Sequence, residues 1–458
     1  MRAAWSLFTA ALLTGCAVPP IDRYLLQTER TPVRLEGARG LLTPEQSRKV
    51  IAGLAARSGQ TGILERHLAV EEALAGNPLS IGNRVQLLQD GPATYAAMLA
   101  AIASAKHHVH LETYIFEADE VGQKFADALA ARVRAGVKVR VVYDAVGSIG
   151  TPKTFFKAME DRGIEVAEFG PVNAGTVLLR GPALNHRNHR KLTVVDGRVA
   201  FLGGINISGV YASGSLGSHM SSDKADGSPP WRDTQVRIEG PAVADLQKGF
   251  LRMWAQIRKE ETLTDARLFP AADKGGPHAV RVVEAWVDEG INPLYVTLIS
   301  AVQNAEARVY ITMAYFVPHQ ELVAALKDAA RRGVDVQLLL PGRTDHWLVF
   351  HAGRSFYEEL LEAGVKIFER DSRLLHAKTA TIDGVWSTVG STNLDWRSLA
   401  DNDEVNAVVL GPEFADGMQA AFSRDLGHSQ QILPEAWRSR PWSDRVREIS
   451  ARTWARAL

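Results

Sequence analysis

Two short stretches of the sequence place an imidazole two residues before an ammonium. One is HRKLTVVD (189–196), with His189 and Lys191; the other is HAKTATID (376–383), with His376 and Lys378. Both read His-x-Lys-x4-Asp, both continue into a glycine, and both then reach a small-residue run, GGIN (203–206) and GSTN (390–393). On a strand, side chains alternate faces, so His189 and Lys191 project together, as do His376 and Lys378. A single copy would suit a structural histidine beside a lysine; two copies with matching flanks point to chemistry. They supply the parts of a phosphodiester site that needs no metal and no cofactor: one histidine to attack phosphorus, one to protonate the leaving oxygen, and two lysines to hold the phosphate.

Turn chemistry then places the flanking residues. Asp196-Gly197 and Asp383-Gly384 lie between β-rich runs and mark two-residue hairpin turns. With those turns Val195 faces Arg198, and counting back sets Gly204 opposite His189 and Ser391 opposite His376. Asn206 and Asn393, two residues on, share that face. The returning strands are thus expected to bring little bulk and an amide donor to each histidine, as a bound phosphate requires. Asp196 and Asp383 have the wrong parity for the histidine face and fall in the turns. They read as structural residues, not as acids or bases.

The doubled motif resembles the HKD signature of the phospholipase D superfamily, and the resemblance runs from about Val85 to about Pro434. Within that superfamily, the stretches LNHRNHRKLTVVDGRVAFLGGINI (184–207), WRDTQVRIEGPAV (231–243), AYFVPHQELVAALKDAARRGVDV (314–336) and GSTNLDWRSLADNDEVN (390–406) are similar to the cardiolipin synthase branch. The resemblance implies a covalent phosphohistidine mechanism with the first motif histidine, His189, as nucleophile, and phosphatidyl transfer between membrane phospholipids. It also implies an acid downstream of each motif that orients the imidazole through its other ring nitrogen; the matching positions are Asp233 and Glu404. Glu112 and Tyr114 match a recurrent family stretch and are expected to contact substrate. Hydrolytic phospholipase D and secreted nuclease chemistry would use the same two histidines, and a non-catalytic lipid-binding module would require a lost motif residue. None is lost.

Positioning two such motifs calls for two copies of one scaffold. From Val85 the chain alternates strand and helix: VQLLQD, an amphipathic stretch to about Ala105, VHLETYIF (109–116), a helix over 119–135 and VKVRVVYD (137–144). The order returns with RVVEAW (281–286), a helix to about Asn304, VYITMAYF (309–316), a helix over 319–332 and VDVQLLL (334–340). The expected fold is α/β: two pseudo-symmetric phospholipase D-like sandwich domains, each a mixed sheet flanked by helices, with one active site at their interface. The first spans 81–268 and the second 269–458, after an extension at 16–80. The serine- and glycine-rich stretch from Tyr211 to Pro230 has no counterpart in the second copy and reads as an insertion, a lid or a surface loop.

Composition bounds the rest. The 52 basic and 52 acidic residues cancel, which counts against a nucleic-acid partner, whose enzymes carry a basic surplus. The single cysteine excludes an internal disulfide and a cysteine-rich metal site. Cys16 ends MRAAWSLFTAALLTGC, where one arginine precedes an apolar run too short to span a bilayer. Residues 1–15 read as a signal peptide, and Leu-Thr-Gly-Cys resembles a bacterial lipobox with Cys16 as the lipidated residue. The expected location is the cell envelope, tethered by a lipid anchor at the periplasmic face of the outer membrane. His107, His108 and His110 lack the companions of a metal site and read as pocket-wall or packing residues. The basic, tryptophan-bearing segment 436–458 suits either a membrane interface or packing on the second domain.

Overall fold

Apolar β-branched runs form the strands next to the motifs, and their near-complete burial fits the parallel part of a covered sheet. His108–Thr113, Lys138–Asp144 and Glu165–Phe169 pair in parallel. The motif strand Leu192–Val195 then pairs antiparallel with His108–Thr113, followed by Val199–Gly203, Thr234–Glu239 and Leu79–Gln89. The second half repeats this order. Arg308–Met313, Asp335–Pro341 and Lys366–Arg370 are parallel; Lys378–Ile382, Trp386–Gly390, Asn402–Leu410 and His278–Ala285 follow antiparallel. The computed structural model describes residues 32–58, 62–172, 185–212, 231–261, 264–271, 275–290 and 292–454. Cys16 and its signal-like stretch lie outside the described residues, as do positions 213–230 of the insertion.

Helices cover the sheets where the 3.6-residue period supplies an apolar stripe. In Glu120–Arg134, Asp119 accepts a hydrogen bond from the Gly122 N–H at the amino end, and Val121, Phe125, Ala126 and Leu129 are buried on one face. Between the halves the two sheets share one apolar core, in which Val194, Leu202 and Val236 pack with Val282, Val389 and Val405. An edge-to-edge antiparallel pairing of Leu79–Gln89 with His278–Ala285 adds hydrogen bonds to that contact. Burying shared apolar surface fixes the halves against each other, as a site assembled from both requires.

The extension is also part of this scaffold. Leu35–Gly37 pairs in parallel with the start of Leu79–Gln89. Glu71 and Glu72, both buried, take Arg281 between them at 3.2 and 2.6 Å, and the Trp386 indole N–H donates to Glu71 at 3.2 Å. Breaking such a buried set leaves an unpaired charge in low dielectric, so the extension is clamped to the second half.

Both hairpins differ from the expected register. Asp196 and Gly197 have φ of 53° and 63°, and Asp383 and Gly384 have 51° and 66°, as a tight turn through two left-handed residues requires. Yet the ladder resumes with Val195 opposite Val199 and Ile382 opposite Trp386, leaving Arg198 and Val385 outside it. Every pairing therefore slips by one residue, and neither Gly204 nor Ser391 sits opposite its histidine.

The turn aspartates reach elsewhere. Asp196 accepts from the backbone N–H groups of Lys106, His107 and His108 at 2.8, 2.8 and 2.9 Å. Asp383 accepts from Glu306, Ala307 and Arg308 at the same three distances. Each carboxylate ties the hairpin to the start of the adjoining parallel strand. Asparagine tolerates left-handed φ but turns an N–H₂ toward one of these donors. Asp196→Asn and Asp383→Asn should each cost about 1–3 kcal/mol of stability, read as a lower melting temperature, with turnover retained well below it. A large loss of turnover in a variant that melts normally would assign these carboxylates to the chemistry instead.

Candidate active site

The two motifs meet through a strand exchange. Arg187–Asn188, just before the first motif, pairs with the start of Asn402–Leu410. Trp231–Arg232, just before Asp233, pairs with Leu374–Leu375, which precedes the second motif. The His189 N–H donates to the Asp403 carbonyl at 3.0 Å, and the His376 N–H donates to the Arg232 carbonyl at 2.8 Å. Each histidine is therefore set, at its own backbone, beside the acid of the opposite half.

The side chains follow that crossing. His189 Nδ1 lies 3.0 and 3.1 Å from the two Glu404 oxygens, and His376 Nδ1 lies 2.7 Å from Asp233 Oδ2. The acids do serve the histidines, but each serves the other copy's rather than the one upstream of it. With Nδ1 held by an acid, Nε2 is the ring nitrogen turned to the chemistry, and that of His376 lies 3.1 Å from Lys378 Nζ. Glu404 is held in turn by the hydroxyls of Ser391 and of Ser398, the latter at 2.7 Å, and Asp233 Oδ1 accepts from the Thr234 N–H at 2.7 Å. Gly204 packs so closely behind Asp233 that a Cβ there would lie 2.2 Å from Oδ1. Gly204 and Ser391 thus seat the acids, which replaces the expectation that they line the phosphate.

Around each histidine stands an aromatic wall. The Tyr114 ring meets His189 edge-on at 5.0 Å and carries Lys191 Nζ 5.1 Å from its centroid. Tyr315 takes the matching place in the second half, 6.0 Å from His376 and 5.9 Å from Lys378 Nζ. Sequence reasoning missed Trp231, 4.8 Å from the His376 ring, and Tyr211, whose hydroxyl lies 3.3 Å from His376 Nδ1. Both border the insertion, and only the gap in the second copy hinted at them. Asn206 donates to that same Tyr211 hydroxyl at 3.1 Å and accepts from the Ile115 N–H at 3.0 Å. Its counterpart Asn393 is buried with an amide oxygen that bonds to no described residue.

Glu112 does not face substrate. It is buried, accepts from the Asn188 amide at 2.8 Å and lies 3.7 Å from Arg190, so it braces the backbone that enters the first motif. His186 is spent on Asp403 at 2.8 Å. His108 and His110 share Gln247, at 3.2 and 2.7 Å, and His110 stacks on Phe250. Among the described residues no group of three or more histidines, cysteines or acids is placed to hold a metal ion.

Burial governs the charges. It pushes the Lys191 ammonium down to about 7 and Lys378 to about 8, against the pull of Glu404 and Asp233. Burial also lowers His189 well below 6.5, helped by the two lysines, and takes His376 to about 4 despite Asp233. Glu404 is raised to about 7 by the same desolvation. An anionic phosphodiester would restore charge to both lysines and to His376, because an added negative charge favours every protonated base around it. For kcat/KM, which reports the free enzyme, the lysines hold phosphate below about pH 7–8 and lose that ability as pH rises through it. On the acid side activity falls once His189 takes up a proton, below its ordinary 6.5. The profile should be a bell: kcat/KM falls on the alkaline side from about pH 4, as the free enzyme's His376 loses the proton it must donate, and falls again through pH 7–8 as the lysines discharge. A rate that stays flat to pH 9.5 would contradict the assignment of the lysines.

Comparison with known proteins gives this arrangement relatives. The family described as cardiolipin synthase, PLD-like domain, matches the chain twice, at residues 98–214 and 298–426. The cardiolipin synthase of Halalkalibacterium halodurans is 36% identical over 431 residues, covering 93% of this chain and 80% of the relative. That of Alkalihalophilus pseudofirmus is 34% identical over 428 residues, 93% of this chain and 80% of its own. Among solved structures, phosphatidylserine synthase from Haemophilus influenzae superposes with a TM-score of 0.58 at 13% identity, over 81% of this chain and 93% of that one.

Proposed function

We propose, for a chain that belongs to the cardiolipin synthase family of phospholipase D-like proteins, that it transfers a phosphatidyl group from one phosphatidylglycerol to another to make cardiolipin. The crossed histidine–acid pairs carry this reading. They give two acid-held imidazoles, each with its motif lysine beside it, and these groups suffice to move a phosphoryl centre.

His189 Nε2 attacks phosphorus as the bond to the glycerol oxygen breaks, and His376 gives that oxygen its proton. Free glycerol leaves and a phosphatidyl group remains on His189. His376, now neutral, takes the proton from a hydroxyl of the second phosphatidylglycerol as that oxygen attacks. The phosphorus–nitrogen bond breaks and cardiolipin departs. Lys191, Lys378 and the Asn393 amide face the non-bridging oxygens, whose negative charge shifts in the transition state. Glu404 and Asp233 stabilise each imidazole as it becomes charged.

Supplying purified protein with labelled phosphatidylglycerol tests the assignment. Cardiolipin and glycerol should appear in equal amounts, and His189→Ala should abolish both. Phosphatidic acid as the main labelled lipid would replace transfer by hydrolysis.

The tether belongs to the same proposal. An acylated Cys16 would hold the site at the periplasmic face of the outer membrane, where more than one chain gives stable attachment and a single short one does not. No helix among the described residues is long and apolar enough to cross a membrane. Cys16→Ser should abolish acyl labelling. Unmodified wild-type protein recovered free in the periplasm would remove the anchor and leave the two-histidine chemistry in place.

A further inference from the structure

A cavity of 540 Å³ lies a few residues along the chain from the reacting groups, walled by Val317, Pro318, Phe356 and Leu399, with Ile449 at its rim. Two short chain segments join it to the site. Tyr315 stands against His376, and two residues later Val317 and Pro318 are in the cavity wall; Asn393 is in the site, and Asp395 and Trp396 line the cavity. Its volume falls in the range of ligand clefts, and its lining joins those apolar side chains to His319, Gln320, Asp395, Arg452 and Thr453. One of these, His319, keeps a buried Nδ1 that bonds to no described residue.

The cavity's outer wall is the helix Trp442–Trp454, whose sides are arranged in an unusual way. Its inward side carries Ala451, packed on Ala352, and Glu448, bonded to Arg440 at 2.8 Å. Its apolar stripe points outward: Trp442, Val446 and Ile449 are 77%, 50% and 65% exposed, and Trp347 on the neighbouring helix is 56% exposed. Arg445, Arg447 and Arg452 lie along the same helix, Arg447 paired with Asp444 at 3.1 Å and Arg452 set 3.7 Å from Glu359 and over the Phe356 ring. Tryptophan beside apolar side chains and arginines is the composition that settles at the headgroup level of an anionic bilayer, where ring and chain are buried and guanidinium meets phosphate.

We propose that the cavity holds an acyl chain of the lipid substrate, drawn from a bilayer on which the exposed face of Trp442–Trp454 rests. This rests on the phosphatidyltransferase reading, since a phosphatidyl donor brings both the phosphate for the histidines and the chain for the cavity. The mouth at Ile449 and Arg452 then lies at the membrane, and the chain runs inward along Leu399 and Phe356 toward the reacting phosphorus.

The full chain carrying His189→Ala, mixed with vesicles of phosphatidylglycerol that bear a diazirine at the acyl end, tests the cavity without turnover. Photolysis should place adducts within 317–320, 395–399 and 449–453; adducts confined to other segments would overturn the proposal. In the active enzyme, Leu399→Trp fills the cavity, and the ratio of turnover on long-chain to short-chain phosphatidylglycerol should fall about tenfold or more. Ile449→Asp, a change at an exposed position that should not disturb folding, should lower the same ratio and weaken sedimentation with the vesicles. An unchanged ratio in both variants would overturn the proposal as well. Wild-type protein that turns over neither lipid, yet still takes adducts in the cavity, would sink the phosphatidyltransferase reading alone and leave a lipid-binding cavity.

Discussion

Enzyme carrying His376→Ala should trap a phosphatidyl group on His189 when offered a donor with a good leaving group. The expectation follows from the division of labour between the imidazoles. A glycerol alkoxide is a poor leaving group and needs the proton that His376 supplies, so turnover on phosphatidylglycerol should drop about 10²–10⁴-fold. A p-nitrophenyl phosphatidyl ester expels a stable phenolate and needs no such proton. Attack by His189 then proceeds, and the second step stalls because no base activates the acceptor hydroxyl. Burial already keeps His189 unprotonated at neutral pH, the form that attacks. Intact mass of the protein and mapping of the acid-labile adduct read the result. Label on His376 in an enzyme lacking His189 would reverse the two roles, and no label in either variant would remove the covalent step.

Glu404→Gln and Asp233→Asn should impair different halves of the reaction, because the acids serve opposite histidines. Glu404 holds the nucleophile, so Glu404→Gln should slow attack on every donor, by about 10²-fold or more, whatever the leaving group. Asp233 holds the general acid at 2.7 Å, so Asp233→Asn should spare the first, nitrophenolate-releasing step on the nitrophenyl ester and slow phosphatidylglycerol by a similar factor. The amides keep shape and size, and each carboxylate is fixed by neighbours that need not move. Comparing the two donors in each variant, with melting temperature as a control, separates these effects. Uncrossed behaviour, with Asp233→Asn slowing both donors and Glu404→Gln only the lipid, would exchange nucleophile and acid.

The repeat, the order of strands and helices, and the residues that gather at the centre were readable from spacing, because a period of two puts His189 with Lys191 and His376 with Lys378 whatever the surroundings. What escaped depends on one-residue differences in geometry. The Asp-Gly turns formed at the expected positions, but Arg198 and Val385 dropped out of the ladders, and that slip moved Gly204 and Ser391 from phosphate to acid. Glu112 looked like a substrate contact because it shares a face with Tyr114; burial beside Asn188 and Arg190 decided otherwise. Chain order also hides the crossing, since Asp233 and Glu404 each follow a motif in sequence while the strand exchange at Arg187–Asn188 and Trp231–Arg232 hands them to the other one.

That exchange has a bearing on how such a chain can change over generations. Had each repeat completed its own histidine, damage to one copy would leave the other intact and the two could diverge freely. Here a lesion at Glu404 disables the histidine at 189, and one at Asp233 disables that at 376. Neither repeat holds a spare, so both stay under a single selective pressure despite their separate sequences. A lone repeat could rebuild the arrangement only by lending its acid to a second copy of itself across a two-fold axis, so joining two repeats in one chain fixes as covalent what would otherwise depend on concentration.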